Sequence, residues 1–272
     1  MFAVGSFIEP MHQWPPEGVW LLLVGVCFGS ILLFLRLFGV AGLWVYSAVA
    51  VIAANIQVLK VVQFSVFEEP VALGTVVIAS GFLCTDILAE YYGAAQARRA
   101  VWLGFAGYAL MTALMLLGLA FRPLESGSPI GVVGGEQGWT VENHEHMAAL
   151  FTPAPALLVA GMVAYLCSQF HDVWIYEGIR RLTKGHCLWL RNTASTALSA
   201  LLDSVVFSVL AWRVFAVEPL SWDTVFSTYI LGTYGLRLAV AVLDTPILYW
   251  ARACVPVHRD GCTAASQSYD GH

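Results

Sequence analysis

Apolar residues run along this chain in long unbroken stretches, neither alternating as in strands nor repeating as a coiled-coil seam. Seven stretches, near residues 19–38, 40–62, 69–91, 99–121, 153–176, 192–214 and 224–250, reach the roughly 20 residues a helix needs to cross a hydrocarbon core. Because lipid offers no hydrogen-bond partners to a bare backbone, each is predicted to be a transmembrane α-helix. The expected fold class is all-α, a polytopic membrane protein.

The polar residues inside these stretches recur at helical spacing. Asp86 and Glu90, four positions apart, share one face at the end of the third helix, and Gln169 and Asp172, three apart, share a face of the fifth. Asn192, Thr196, Ser199 and Asp203 form a stripe along the sixth, and Thr233, Arg237 and Asp244 another along the seventh. Asn55 and Lys60 lie toward the end of the second. A charged side chain at the bilayer centre costs about 3 kcal/mol, so these stripes are expected to face other helices or a wet cavity. Asp203 and Arg237 both fall near mid-membrane, which predicts an interhelical ion pair, either structural or part of a site. For Glu90 the alternative to a site role is an interfacial contact with Arg98 or Arg99. For Asn55 it is a hydrogen bond between helices, and His171 is read as an interface residue. Tyr91, Tyr92 and Gly93 are expected to stop the third helix at the interface.

Composition agrees with the pattern. Of 272 residues, 59% are hydrophobic and 11% charged, with a net charge of −5 and a mean hydropathy of +0.74. This is too much apolar surface for an ordinary soluble domain. The acidic balance and the lack of a basic footprint argue against direct nucleic-acid binding. The residues before the first stretch hold Glu9 and Glu17 but no Lys or Arg, unlike a cleaved signal peptide.

Positive charges set the orientation. Arg36, Arg98, Arg99, Arg180, Arg181, Lys184, Arg191, Arg252 and Arg259 all fall at one side, which the positive-inside rule makes cytoplasmic. The other side receives Lys60, Arg122 and Arg213 and most of the acids, including Glu68, Glu69, Glu125, Glu136, Glu142, Glu145, Glu218 and Asp223. The expected location is the cell (inner) membrane, multi-pass, with the N-terminus outside and the C-terminus cytoplasmic. Of six cysteines, three fall within helices and three on the cytoplasmic side, so no disulfide framework is expected. The Gly- and Pro-rich segment from Arg122 to about Met147 is read as a mobile outer loop, and its Asn143-His144-Glu145-His146 as solvated rather than metal-binding. Most of Trp14, Trp20, Trp102, Trp174, Trp189, Trp222 and Trp250 are assigned to an interfacial belt. Phe82, Tyr46, Tyr165 and Tyr234 are candidates for stacking on a flat ligand.

The ordered motifs carry a resemblance. Phe82-Leu-Cys-Thr-Asp-Ile-Leu-Ala-Glu-Tyr-Tyr-Gly followed by Ala97-Arg-Arg-Ala-Val-Trp-Leu-Gly-Phe resembles the signature of the queuosine precursor transporter family, the vitamin-uptake-type integral membrane proteins. Gln169-Phe-His-Asp-Val-Trp-Ile, Gly185-His-Cys-Leu-Trp-Leu-Arg-Asn-Thr-Ala-Ser-Thr, Tyr234-Gly-Leu-Arg-Leu with Asp244-Thr-Pro-Ile-Leu-Tyr, and Ala53-Ala-Asn-Ile-Gln-Val-Leu-Lys agree with it in order. Thr193 stands where a second Asn is frequent, Ala200 where a Gln is common and Arg237 where a Lys is common. The resemblance implies a core of six helices, similar to the substrate-binding subunits of vitamin transporters, over residues 39–252. Residues 1–38 would then be an extracytoplasmic N-terminus with an additional transmembrane helix, and 253–272 a disordered cytoplasmic tail.

It also implies import of 7-cyano-7-deazaguanine, 7-aminomethyl-7-deazaguanine or queuine for tRNA modification, by a carrier and not an enzyme, without a cofactor. The substrate-binding candidates are Asn55, Lys60, Asp86, Glu90, Gln169, Asp172, Asn192, Asp203 and Arg237. Asp86 or Asp203 would accept from the guanine-like edge, Asn55, Gln169 and Asn192 would complete it, and Arg237 would meet its carbonyl or pair with an acid in the empty site. The expected partners are this small molecule and the bilayer, with a homo-oligomer left open. Two other readings stand beside it: a substrate-binding subunit of an ATPase-driven vitamin transporter, whose small Ala50 and Ala54 would let a partner helix approach, and an intramembrane hydrolase using Asp86, Asp203 and Asp244. No Walker motif occurs, and the only lysines, Lys60 and Lys184, exclude a retinal Schiff base in the last helix.

Overall fold

The computed structural model describes residues 8–65, 71–123, 138–152, 155–216 and 218–255. After a short 3₁₀ turn, helix α1 (Pro16–Gln57) is followed by a two-stranded hairpin of β1 (Val61–Val62) and β2 (Val71–Ala72), then α2 (Gly74–Tyr91) and α3 (Ala94–Leu119). Next come α4 (Gly138–Phe151), α5 (Pro155–Leu182) and α6 (Leu188–Val209), which continues as a π-helical segment, Leu210–Val214. A single turn, Trp222–Thr224, opens a second π-helical segment, Val225–Leu231, which leads into α7 (Gly232–Leu243) and α8 (Thr245–Cys254).

Six of these helical stretches are long and apolar enough to cross a membrane. The first is 42 residues, about 63 Å if straight, roughly twice the hydrocarbon thickness. It does not run straight. Gly39 adopts φ +58° and ψ −133°, a conformation that side-chain-bearing residues rarely reach, and the chain turns back on itself there. Gly42 consequently lies so close to the Phe34 carbonyl that a Cβ would overlap it. At the far ends of the two arms, the Ser65 N–H and hydroxyl donate to Glu17 Oε1 at 2.7 and 2.5 Å, and Trp20 packs with Val62 and Phe64. Arms 16–38 and 40–57 therefore supply the first two expected crossings.

Helix α2 sits at the centre, with 78% of its residues buried, against 22% for the lipid-facing α3. Small residues bring it close to its neighbours: Gly74 leaves no room for a Cβ beside the Ala54 carbonyl, so Ala54 serves internal packing. Gly104 likewise makes room for the Tyr165 ring. α2 ends at Tyr91, whose hydroxyl donates to the Leu248 carbonyl at 2.9 Å, and Gly93 follows at φ +87°. Trp102, Trp174, Trp189, Trp222 and Trp250 are exposed, as belt residues would be.

Several boundaries differ from the expected ones. The second crossing stops at Gln57 and the third starts at Gly74, because Val61, Val62, Val71 and Ala72 pair as strands; a Val-rich run suits a β-ribbon as well as a helix. The last crossing breaks at Asp244, since Pro246 cannot donate the next helical hydrogen bond. Residues 138–151, expected as loop as far as about Met147, form α4, which at 14 residues is too short to give a membrane-length signal. The remainder of that loop (124–137) and the tail after 255 lie outside the described residues.

Candidate functional site

Polar residues cluster in two layers along the bundle. The layer nearer the β-hairpin, called outer for that position, borders a cavity of about 330 Å³, within the roughly 300–1,000 Å³ of small-molecule sites, and the layer nearer the α2–α3 turn is called inner. Its walls come from the second arm of α1, the β-hairpin, the start of α2, α5, α6, the π-helical segments and α7.

At one wall Arg237 Nη1 donates to Asp203 Oδ2, and Ser168 Oγ donates to Asp203 Oδ1 at 2.9 Å. The pair is largely buried. Arg237 Nε, however, has no hydrogen-bond partner. Opposite, Asn55 Nδ2 donates to the Val51 carbonyl at 2.8 Å on its own helix, while its Oδ1 occupies space that any Cβ at Gly161 would fill. Gly161 thus makes room for Asn55 beside the cavity. The aromatic wall consists of Phe207, Trp212 and Tyr229, with the Trp212 and Tyr229 rings 4.7 Å apart and inclined by 36°. Trp212 Nε1 is a second buried donor without a partner.

The inner layer is fully buried. Asp86, Asp172 and Asp244 come from α2, α5 and the α7–α8 junction, and none is exposed. Asn192 Nδ2 donates to Asp244 Oδ1 at 2.7 Å, and Thr196 Oγ1 donates to Asp86 Oδ2 at 3.4 Å. Asp172 lies close to Asp86, Ser195 and Ser199, yet neither of its oxygens is in normal hydrogen-bond geometry. Between the layers Thr85 Oγ1 donates to Gln169 Oε1 at 3.2 Å, and His171 Nδ1 lies 2.9 Å from Ser199 Oγ.

One turn further in, a second ion pair closes the bundle. Arg191, 2% exposed, donates from Nη2 to Glu90 Oε1 at 2.5 Å, from Nη1 to the Gly185 carbonyl at 2.8 Å and from Nε to the Tyr176 hydroxyl at 3.3 Å. The Tyr176 hydroxyl in turn donates to Glu90 Oε2 at 2.9 Å. Glu90 therefore answers Arg191 across the bundle and not Arg98 or Arg99, because α2 and α6 face each other there while the two arginines start the neighbouring α3.

The nine candidates thus divide. Asn55, Asp203 and Arg237 border the cavity. Asp86, Asp172 and Asn192 lie in the buried layer below it, Gln169 lies between the layers, Glu90 belongs to the inner ion pair, and Lys60 is exposed at the outer rim. Sequence reasoning missed Trp212, Tyr229 and Phe207, as well as Ser204 and Ser208. The two serines repeat at i,i+4 beside Asp203, a signal that was available. Phe207 follows Asp203 by one turn of α6, while Trp212 and Tyr229 owe their placement to π-helical turns, whose register no α-helical spacing predicts. Of the expected stacking residues, Phe82 is fully buried in the core, Tyr46 is bonded to Ser80 at 2.6 Å and Tyr165 packs beneath Gly104.

A helical bundle of this hydropathy, holding a mostly apolar, aromatic-walled cavity with a few polar groups on it, defines a multi-pass membrane protein with room for a small molecule. Residues 72–251 match the family model described as "Putative vitamin uptake transporter". The "Probable queuosine precursor transporter" of Bacillus subtilis (strain 168) is 33% identical over 239 residues, which span 87% of this chain and 95% of that protein. No solved structure matches the chain. The chain belongs to the queuosine precursor transporter family of vitamin-uptake-type membrane proteins.

Proposed function

We propose that this transporter imports a 7-deazaguanine precursor of queuosine, namely the 7-cyano or 7-aminomethyl base or queuine, and that the base sits in the outer cavity. The observation that carries the reading is the pairing of two unpartnered buried donors, Arg237 Nε and Trp212 Nε1, with a carboxylate on the same small cavity. Buried polar groups are rarely left unpaired unless a ligand or water completes them. A 7-deazaguanine offers matching groups: N–H donors on its pyrimidine edge for Asp203, a carbonyl for Arg237, and a flat face for Trp212 and Tyr229. Asn55 is assigned to the edge of the same base. The relative's name, carried over to this chain, supports the same substrate class.

The outer layer faces the cell exterior in this reading, with the N-terminus outside, the C-terminus in the cytoplasm and the protein in the cell (inner) membrane. The arm 16–38 is an addition to a six-helix core spanning 39–252. The test is queuosine in the tRNA of a host that can neither make nor import the precursors, expressing this chain and fed each deazapurine separately. Queuosine appearing at low external precursor identifies the substrate. Its absence for every precursor, with the protein present in the membrane, overturns the reading.

A further inference from the structure

Three carboxylates lie wholly buried in the inner layer, and among the described residues none of them has a cation of its own. Asp86 accepts one long bond from Thr196 and has an unpartnered Oδ1; Asp172 has two unpartnered oxygens and Asp244 one. The charged and titratable groups facing them are accounted for. Arg191 and Tyr176 are committed to Glu90, Arg237 is committed to Asp203, Cys84 on α2 donates to the Leu43 carbonyl at 3.3 Å, and His171 on α5 lies against Ser199. An ionised carboxylate buried without a cation costs several kcal/mol, so the cluster needs a positively charged occupant. Independently of the acids, the Oδ1 of Asn192, a fully buried amide whose nitrogen contacts Asp244, has no partner either. A proton is the cation that fits here, since it needs no shell of ligands and is held by a single carboxylate oxygen with a neighbouring acceptor such as Asn192 Oδ1.

The placement gives that occupant a route. Glu90 follows Asp86 by one turn on α2, Tyr176 follows Asp172 by one turn on α5, and Arg191 precedes Asn192 on α6. Each member of the inner ion pair is thus one helical step inward of a member of the cluster, so opening that pair exposes the cluster to the inner side. On the outer side the cluster is separated from the cavity by the Thr85–Gln169 bond and the Asp203–Arg237 pair.

We infer that Asp86 and Asp172, with Asp244 and Asn192 beside them, form a proton-binding site between the two ion pairs, and that a proton taken up there from outside is released inside with each substrate molecule. The coupling, though not the site, rests on the substrate reading above. No bond other than O–H forms or breaks, and one positive charge crosses the membrane with the base.

The experiment reconstitutes the full chain in proteoliposomes with labelled 7-cyano-7-deazaguanine. An acid-outside pH gradient should drive accumulation that a protonophore collapses and a sodium gradient does not replace. Asp172→Asn, the uncharged near-isostere, should still equilibrate the base down its gradient but lose at least about tenfold of the gradient-driven accumulation. Accumulation insensitive to the pH gradient, or retained in full by both Asp86→Asn and Asp172→Asn, overturns the coupling. A readout without substrate separates the two readings. The infrared carbonyl band of a protonated carboxylic acid should be present in the purified protein at neutral pH and diminished in Asp86→Asn and Asp172→Asn. Its absence overturns the site even if transport is normal; its presence in a protein that moves no deazapurine sustains the site and sinks only the substrate.

Discussion

Two buried arginine–carboxylate pairs stand at different levels of this bundle, and their surroundings differ. Each nitrogen of the Arg191 guanidinium has a partner: a carboxylate, a backbone carbonyl and a phenol accept from it, and the ring of Tyr176 lies 5.6 Å from its guanidinium carbon. Arg237 holds Asp203 on one side and leaves Nε unpartnered beside a cavity. The same ionic chemistry is a latch where every guanidinium nitrogen has a partner, and on the proposed reading a receptor where one nitrogen is kept free. A pair that is only glue has no reason to border empty space.

Substitutions should separate the two pairs. The largest effect is expected at the latch. Removing one partner of a buried pair leaves an uncompensated charge, so Arg191→Ala should cost about 3–5 kcal/mol and deplete the protein from the membrane, as read by thermal unfolding in detergent. Equal thermal stability of the variant would break the distinction. Next, Asp203→Asn should abolish deazapurine uptake through loss of about 2–4 kcal/mol of ligand binding while the protein still accumulates, as read by uptake normalised to protein. Normal uptake by this variant would return the outer pair to a structural role. Gly161→Ala drives a methyl into Asn55 Oδ1, and overpacking of about 1–3 kcal/mol should appear as a raised KM for uptake. The smallest effect is Trp212→Phe, which keeps the ring and drops the N–H donor; loss of about 1 kcal/mol, a several-fold weaker apparent affinity, is expected in the same assay.

Much of this division could be read in advance, and the exceptions have physical causes. The six membrane-length helices of the described residues followed from run length, although the bend at Gly39 that joins the first two expected stretches into one helix did not. The spacing of Asp203 and Arg237 within their stretches announced their pairing. The shared faces of Asp86 with Glu90 and of Gln169 with Asp172 were legible from spacing, but spacing says nothing of depth. Glu90 is one turn from Asp86 yet belongs to the latch, because Arg191 enters from a helix that begins beyond a left-handed turn at Lys184, Gly185 and Cys187. The aromatic wall stayed hidden because π-helical turns shift Trp212 and Tyr229 out of α-helical register. Helix α4 was masked by the Gly- and Pro-rich residues before it. The end of the second crossing was misread because Val61 and Val62 continue an apolar run while leaving the helix.

The account turns on the outer cavity being open to the outside and filled by the base. Ser208, buried on the cavity wall and close to cysteine in size, is the place to ask. In a background without the native cysteines, Ser208→Cys should react with a small membrane-impermeant thiol reagent added to whole cells, and 7-cyano-7-deazaguanine should slow that reaction at concentrations that saturate uptake. Reaction only from the cytoplasmic face, or a rate unchanged by saturating substrate in a protein that still transports it, would contradict the placement of the site.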